Sequence, residues 1–278
     1  MKRSVSSFKL PTFEICNDDQ CLPFVFDLPH DRLVLVDHED MLKHVDISLS
    51  NAVMVGFDTE TEPFVFCSSD NGRNFHNTAL IQMAVRQKSG EEYVYILDLV
   101  KLLHNGGYCS YTDEILMNCF RNDSIIKLGQ GMLQDLNELN KSFPRMKSFG
   151  DIVCNCLELN TLFQYLKPDH KQLVSLKYLT RNYLNFNLIK TQQLSSWTTR
   201  PLTDAQLHYA ACDSLVLLRL YDTMVMEIED LCGSEFDINE NGFLKDVRSK
   251  HKKNTNRHSD VTVQPQSRRF KPNYHMEN

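Results

Sequence analysis

Asp58 and Glu60 stand one residue apart at the end of "VGFDTE", where the apolar run Ala52 to Phe57 finishes. In an extended strand alternate side chains share a face, so both carboxylates point the same way. Like charges held that close repel, and each raises the other's pKa unless something positive lies between them. A bound cation relieves the repulsion, and so does a strand that runs out into solvent; the triplet alone leaves both readings open. A third acid, Asp213, follows Tyr209 by four residues within "HYAACDSLVLLRLYD". On a helix the two lie about 40° apart around the axis and face the same way. An Asp among so many apolar neighbours must be paired, protonated or coordinating a metal. The fourth, Asp135, sits in "KLGQGMLQDLNEL", inside an apolar helix that follows a short strand. Gly129 and Gly131 do not make a dinucleotide loop, because Gln134 occupies the place of the third glycine. The chain has no G-x-x-x-x-G-K-[ST], H-E-x-x-H or G-x-S-x-G.

The elements that must position these acids read as one mixed α/β domain. Strands are expected at 32–36, 52–58, 78–85 and 93–99, the last three as a meander, with a helix from Glu39 to about Leu49. Helical spacing over 112–121 leads to a short buried strand at 125–131. A helix over 132–140 follows, with Leu133, Leu136 and Leu139 on one side. A further short strand is expected at 149–155, and the remainder to about Glu229 reads as mostly helical. Thr203 and Gln206 form a capping box that starts the helix carrying Tyr209 and Asp213. Leu202 and Leu207 occupy the positions of a hydrophobic staple. Strands dominate the first half and helices the second, so a mixed sheet covered by helices is expected.

Composition narrows the class. The chain has 278 residues, 42% of them apolar, which is ample for a core. Its nine cysteines include no C-x-x-C, and neither Cys16/Cys21 nor Cys154/Cys156 has partners at zinc-finger spacing. Reduced thiols in a cytoplasmic or nuclear protein are therefore expected. No apolar stretch reaches the length of a membrane span. "MKRSVSSFKL" has some presequence character, but acids return at Glu14, and the mitochondrial reading ranks second. From Lys245 onward nine Lys/Arg face three Asp/Glu, a net +6; with −6 in total, residues 1–244 carry −12. The chain is thus divided into an extension at 1–29, a domain at 30–232 and a basic, disordered tail at 233–278. That tail reads equally as a solvated terminus, a nucleic-acid arm, or an import signal around "KHKK".

Taken together, Asp-x-Glu on a strand, Asp135 on a helix after "KLGQG", and Tyr-x-x-x-Asp on a late helix resemble the DEDD superfamily of 3′→5′ exonucleases. "SSWTTRPLTDAQLHYAACDS" (195–214) is similar to the third-motif region of the RNase D and Werner-syndrome exonuclease branch. It shows that branch's Ser-x-Trp, Arg-Pro-Leu-Thr, Gln and Tyr-Ala-Ala-x-Asp. The resemblance covers about residues 30 to 230 and departs at Thr61, where the branch carries Trp. It implies a ribonuclease H-like, DnaQ-like sheet flanked by helices. His208 lies five residues before Asp213, matching the histidine branch as Tyr209 matches the tyrosine branch. With the cap at Thr203, His208 is about 140° from Asp213, so Tyr209 is chosen and His208 is read as a surface or core residue.

The resemblance further implies two divalent cations, Mg²⁺ or Mn²⁺, about 4 Å apart on hard oxygen ligands. Asp58 would bridge both, Glu60 and Asp213 complete the first, and Asp135 support the second. Tyr209 would orient the attacking water or the scissile phosphate, and the product would be a nucleoside 5′-monophosphate. Thr59, Lys190 and Arg200 are candidate substrate contacts; surface ion pairing is the other role open to Lys190 and Arg200. Trp197 is read as a packing residue. The expected partner is single-stranded or 3′-overhanging nucleic acid, RNA ahead of DNA by family analogy, with no membrane. A catalytically silent RNA-binding scaffold and a DNA exonuclease in repair are the alternatives.

Overall fold

The computed structural model describes residues 21–63, 78–104, 107–232, 237–239 and 241–249. Its strands are β1 (Leu22–Pro23), β2 (Leu33–Val36), β3 (Ala52–Thr61), β4 (Thr78–Gln87), β5 (Glu92–Asp98), β6 (Ile126–Gly129), β7 (Ile152–Glu158), β8 (Phe186–Asn187) and β9 (Lys245–Arg248). The helices are α1 (Leu42–Ser50), α2 (Leu99–Leu102), α3 (Ser110–Arg121), α4 (Met132–Ser142), α5 (Leu159–Leu166), α6 (Leu176–Leu184) and α7 (Asp204–Cys232).

Seven strands form one sheet in the order β2-β5-β4-β3-β6-β7-β9. The expected meander is there: β3 pairs antiparallel with β4, and β4 with β5. β2 lies parallel to β5, and β6 parallel to both β3 and β7, so the sheet is mixed. Strand residues such as Ile81, Met83, Val94 and Ile96 are fully buried, because helices cover both faces. Leucines of α5, α6 and α7 pack into one layer, and apolar residues of α1, α3 and α4 into the other.

β3 divides its side chains between these layers. Met54 belongs to the α7 layer, while Val55 and Phe57 belong to the α4 layer. Gly56 therefore faces α7, and a Cβ there would stand 2.5 Å from the Ser214 carbonyl oxygen and 3.3 Å from Leu217 Cβ. Only a glycine lets the backbone of α7 lie so close across the strand. The following even positions, Asp58 and Glu60, point to the same side as Gly56.

Several expectations are corrected. β3 does not stop at Asp58 but runs through Glu60 to Thr61, held by pairing with β4 up to Thr78. The strand expected at 149–155 starts only at Ile152, after a 3-10 turn at Ser148–Gly150, and continues to Glu158. On α4, Leu136 and Leu139 are buried but Leu133 is exposed, since spacings of three drift around the axis and Met132 takes the inner place. The stretch after Glu158 is less helical than expected: residues 185–203 hold β8 and a series of turns.

The outer boundaries shift too. Within the expected extension, β1 pairs parallel with β8, and Phe24 and Phe26 are buried in the core. Within the expected tail, β9 adds an antiparallel edge strand to β7, placing Val247 opposite Val153. Ser249 Oγ donates to Phe149 O at 2.7 Å and accepts from Asn140 Nδ2 at 3.0 Å. One apolar residue in four gives no periodicity to read, which is why this strand looked like tail. "MKRSVSSFKL", Cys16 and "KHKK" lie outside the described residues. The described cysteines carry free thiols, and among described residues no helix is long and apolar enough to cross a membrane.

Replacing Gly56 with Ala forces a methyl group against a backbone oxygen that cannot rotate away. The expected cost is about 1–3 kcal/mol, the range for overpacking a filled interior. Urea unfolding of Gly56→Ala beside wild type measures it; unchanged stability would show that α7 can back off from β3.

Candidate active site

The capping box places α7. Thr203 N donates to Gln206 Oε1 at 2.9 Å, and Gln206 N donates to Thr203 Oγ1 at 3.2 Å. Gln206 Nε2 then reaches back to Ser195 Oγ at 2.7 Å and Ser196 O at 3.1 Å, pinning the preceding turns. From that start, Tyr209 and Asp213 come round to β3. They line a cleft of about 890 Å³ with Asp58, Thr59, Glu60, Asp135, Glu158 and Lys190.

Within the cleft, carboxylate oxygens of Asp58, Glu60 and Asp213 lie within 4.8 Å of one another. Asp213 is 1% exposed and Glu60 7%. Burial, and then the neighbouring Asp213, push the Asp58 carboxyl up to about 7, although Lys190 pulls the other way. Burial and the nearby Asp58 and Asp213 raise Glu60 well above the usual carboxylate range. Asp213 is raised by burial against the opposing pull of Lys190. Asp135 is not part of this trio. It belongs to the first turn of α4, and its Oδ1 accepts the Thr59 hydroxyl at 2.9 Å. Burial and then Asp58 raise its pKa as well. Thr59 thus works from the α4 face of β3, while its neighbours Asp58 and Glu60 meet α7.

Lys190 is the positive charge in this group. Its Nζ donates to the two Asp213 oxygens at 3.0 and 3.1 Å and to Tyr209 Oη at 3.4 Å. The Tyr209 phenol is itself raised above its ordinary pKa by burial and by Asp213, so it is neutral at pH 7. Arg200 does not line the cleft. Its guanidinium forks onto buried Asp98 at 2.6 and 2.7 Å and donates to Trp197 O and Thr199 O. A carboxylate as buried as Asp98 requires such a partner, and the fork fixes the 197–200 turn to the end of β5. Trp197 is fully buried, its ring 5.8 Å from that of Tyr209, as a packing residue should be.

His208 turns the other way. It is 4% exposed, accepts the Phe26 amide at Nε2 (3.3 Å), and burial lowers its pKa to about 4. The helical argument for Tyr209 over His208 agrees with this arrangement.

Two acids escaped the sequence reading. Glu158, at the end of β7, accepts the Gly131 and Met132 amides at 2.7 and 2.8 Å and so ties down the start of α4. Gly131 adopts φ 96°, a conformation that suits glycine. Glu62, 4% exposed, accepts Ser196 Oγ at 2.9 Å and Thr198 N at 2.7 Å. Both bind backbone amides remote in sequence, and no local pattern announces that.

Buried carboxylates with one ammonium among them fit a cation site. All the donors are hard oxygens, suited to a divalent ion of the oxygen-seeking class.

These shifts set a pH dependence. Asp58 and Glu60 hold protons more tightly folded than unfolded, so without divalent cations stability falls as pH rises from about 4 through about 7. His208, lowered to about 4, acts oppositely, but only below its ordinary value of 6.5. The window from about pH 6.5 to 8 therefore leaves His208 out, and Asp58 alone contributes a loss of about 1 kcal/mol there. Denaturant melts in EDTA should show that loss, and Asp58→Asn should reduce it. Adding a divalent cation at pH 8 should raise the midpoint.

Comparison with known proteins accords with this geometry. The 3′–5′ exonuclease family profile matches residues 33–229. The human exonuclease mut-7 homolog is 29% identical over 218 residues, 72% of this chain and 24% of that protein. The exosome complex exonuclease RRP6 of Saccharomyces cerevisiae is 26% identical over 204 residues, again 72% of this chain and 24% of the relative. The chain thus spans about a quarter of the length of these relatives. Among solved structures, the Nibbler EXO domain of Aedes aegypti superposes with TM-score 0.63 and 25% identity, covering 78% of this chain and 97% of that one. Escherichia coli RNase D shares the fold, with TM-score 0.54 and 19% identity over 71% of this chain and 45% of its own. A mixed sheet under two helical layers, acids gathered where β3 meets α7, and a profile match over most of the chain agree: this chain belongs to the 3′–5′ exonuclease family, in the DEDD superfamily with its DnaQ-like fold.

Proposed function

We propose that the chain is a 3′→5′ exoribonuclease of the tyrosine branch, releasing nucleoside 5′-monophosphates from single-stranded or 3′-overhanging RNA with two Mg²⁺ or Mn²⁺ ions. The observation that carries this reading is the convergence of Asp58, Glu60 and Asp213 oxygens within 4.8 Å, in a cleft that also holds Asp135 and Tyr209. RNA is favoured over DNA because RRP6 is named an exosome exonuclease and E. coli RNase D is described as an exoribonuclease involved in structured RNA processing.

Asp58, Glu60 and Asp213 would hold one cation, and Asp58 with Asp135 the other. Bound there, the pair would neutralise the scissile phosphate and lower the pKa of the attacking water. The residues do the rest. Tyr209, as a neutral phenol, orients the water or a phosphate oxygen by hydrogen bonding and does not take a proton. Lys190, 28% exposed at its side chain and bonded to Asp213, would be free to meet a phosphate oxygen once cations satisfied the acids. Thr59 keeps Asp135 aimed at the cleft through its 2.9 Å hydrogen bond. Arg200 maintains the turn behind Tyr209 rather than touching substrate.

The test uses single-stranded RNA and DNA, labelled at either end, with Mg²⁺, Mn²⁺ or EDTA. Mononucleotides released only from the 3′ end, and only with metal, are expected. Asp58→Asn and Asp213→Asn should each lower kcat at least about 100-fold, the scale for losing a preorganised electrostatic contact. Tyr209→Phe should slow the reaction more than His208→Gln. Metal-dependent RNA binding without any release would point instead to a silent scaffold, and faster release from DNA to a repair nuclease.

A further inference from the structure

The body of the chain is strongly acidic, yet one stretch beside the cleft is not. Between Lys167 and Tyr183 the sequence places Lys167, Lys171, Lys177 and Arg181 against the single acid Asp169, a net +3 within a region of −12. Lys171, Lys177 and Arg181 are exposed. Lys177 and Arg181 are four residues apart on α6 and share a face.

This stretch borders two cavities. Residues Leu173 to Lys177 form one wall of the acid-lined cleft. Lys167 to His170, Tyr178 and Asn182 line a second, open groove of about 750 Å³. Aromatic rings floor that groove: Phe163 lies 5.0 Å from His170 and 5.9 Å from Tyr178, centroid to centroid. Tyr178 remains 42% exposed, and Leu173, at the lip of the catalytic cleft, 76%. The groove's own acids are Asp169 and Glu227, the latter 3.5 Å from Lys167 Nζ. They suit base amino groups, whereas the outer cations suit phosphates.

We propose that the surface from Lys167 to Tyr183 receives the single-stranded segment lying 5′ of the nucleotide held at the acids. Phosphates ride over Lys171, Lys177 and Arg181, and bases turn inward onto Tyr178 and His170. Interleaved cations and exposed rings are the two features that sequence-tolerant single-strand binding requires. A buried apolar peptide would need a dry groove without charged walls, which this is not. The proposal rests on the nuclease reading, since it takes the 3′ end to sit in the acid cluster.

Two substrates separate the surface from the chemistry: a nitrophenyl ester of a nucleoside 5′-monophosphate, and a single-stranded oligomer of about ten nucleotides, long enough to reach the groove. Tyr178→Ala should raise KM for the oligomer about tenfold more than for the ester, the loss of one stacked base. Lys171→Gln combined with Lys177→Gln should flatten the dependence of log affinity on log salt by about 1.4, two single-strand phosphate contacts. Oligomer anisotropy with Ca²⁺ reads that slope without turnover. Hydrolysis of the oligomer and ester by wild type, with equal KM changes for both in Tyr178→Ala, would overturn this inference alone. Failure to hydrolyse either substrate would overturn the nuclease reading, and the anisotropy slope would still decide the surface. An unmoved slope overturns it.

Discussion

Carboxylates gather in a poorly solvated cleft only if the scaffold is stiff enough to hold them against their own repulsion. Here the stiffness comes from the approach of α7 to β3 at Gly56, where the Ser214 carbonyl occupies the space that a side chain would need. Asp213 precedes Ser214, and Asp58 and Glu60 follow Gly56 at even spacing. The close contact and the acid cluster are consequently one geometric event. Raised pKa values at Asp58 and Glu60 record first their burial and then the like charges crowded beside them.

Around this contact stands a frame of hydrogen bonds that fixes the elements on either side of β3. Thr203 and Gln206 start α7 in a fixed phase, and Gln206 also holds Ser195 and Ser196. Glu62 and the Arg200–Asp98 fork pin the turn carrying Trp197, which in turn packs against Tyr209. On the other side of β3, Glu158 fixes the first amides of α4, and Thr59 joins that helix to the strand through Asp135. Side-chain rotamers supported in this way lose little entropy when ligands arrive, which is what a preorganised site requires.

The charge distribution follows the same logic. An acidic body repels a polyanion at long range, but on the proposed reading cations held by the acids would invert the local sign where a phosphate sits. Lys190 supplies a smaller version of that inversion from within the chain, bonded to Asp213. On the proposed reading, the positive stretch that follows α5 and continues along α6 would give a strand a face on which to rest.

Much of this was legible in the residues themselves. Helical phase around a well-marked cap is local, and it was enough to prefer Tyr209 over His208. Strand alternation is equally local, and it put Asp58 and Glu60 on one face. The acid pattern and the stretch at 195–214 carried the family resemblance. What the chain could not announce was any partner chosen by tertiary packing. Arg200 looked like a phosphate contact because an arginine beside a tryptophan carries no mark of its buried Asp98, 102 residues away. Glu158 and Glu62 bind backbone amides, which every residue but proline possesses. β9 has too few residues to show a period, and its pairing exists only because β7 leaves an open edge. Sequence determined the types, phases and faces of the acids, because those depend on covalent geometry within one element. Tertiary structure alone decided that Asp135 stands beside the trio rather than within it, and that Lys190 reaches Asp213, because both depend on how separate elements pack across β3.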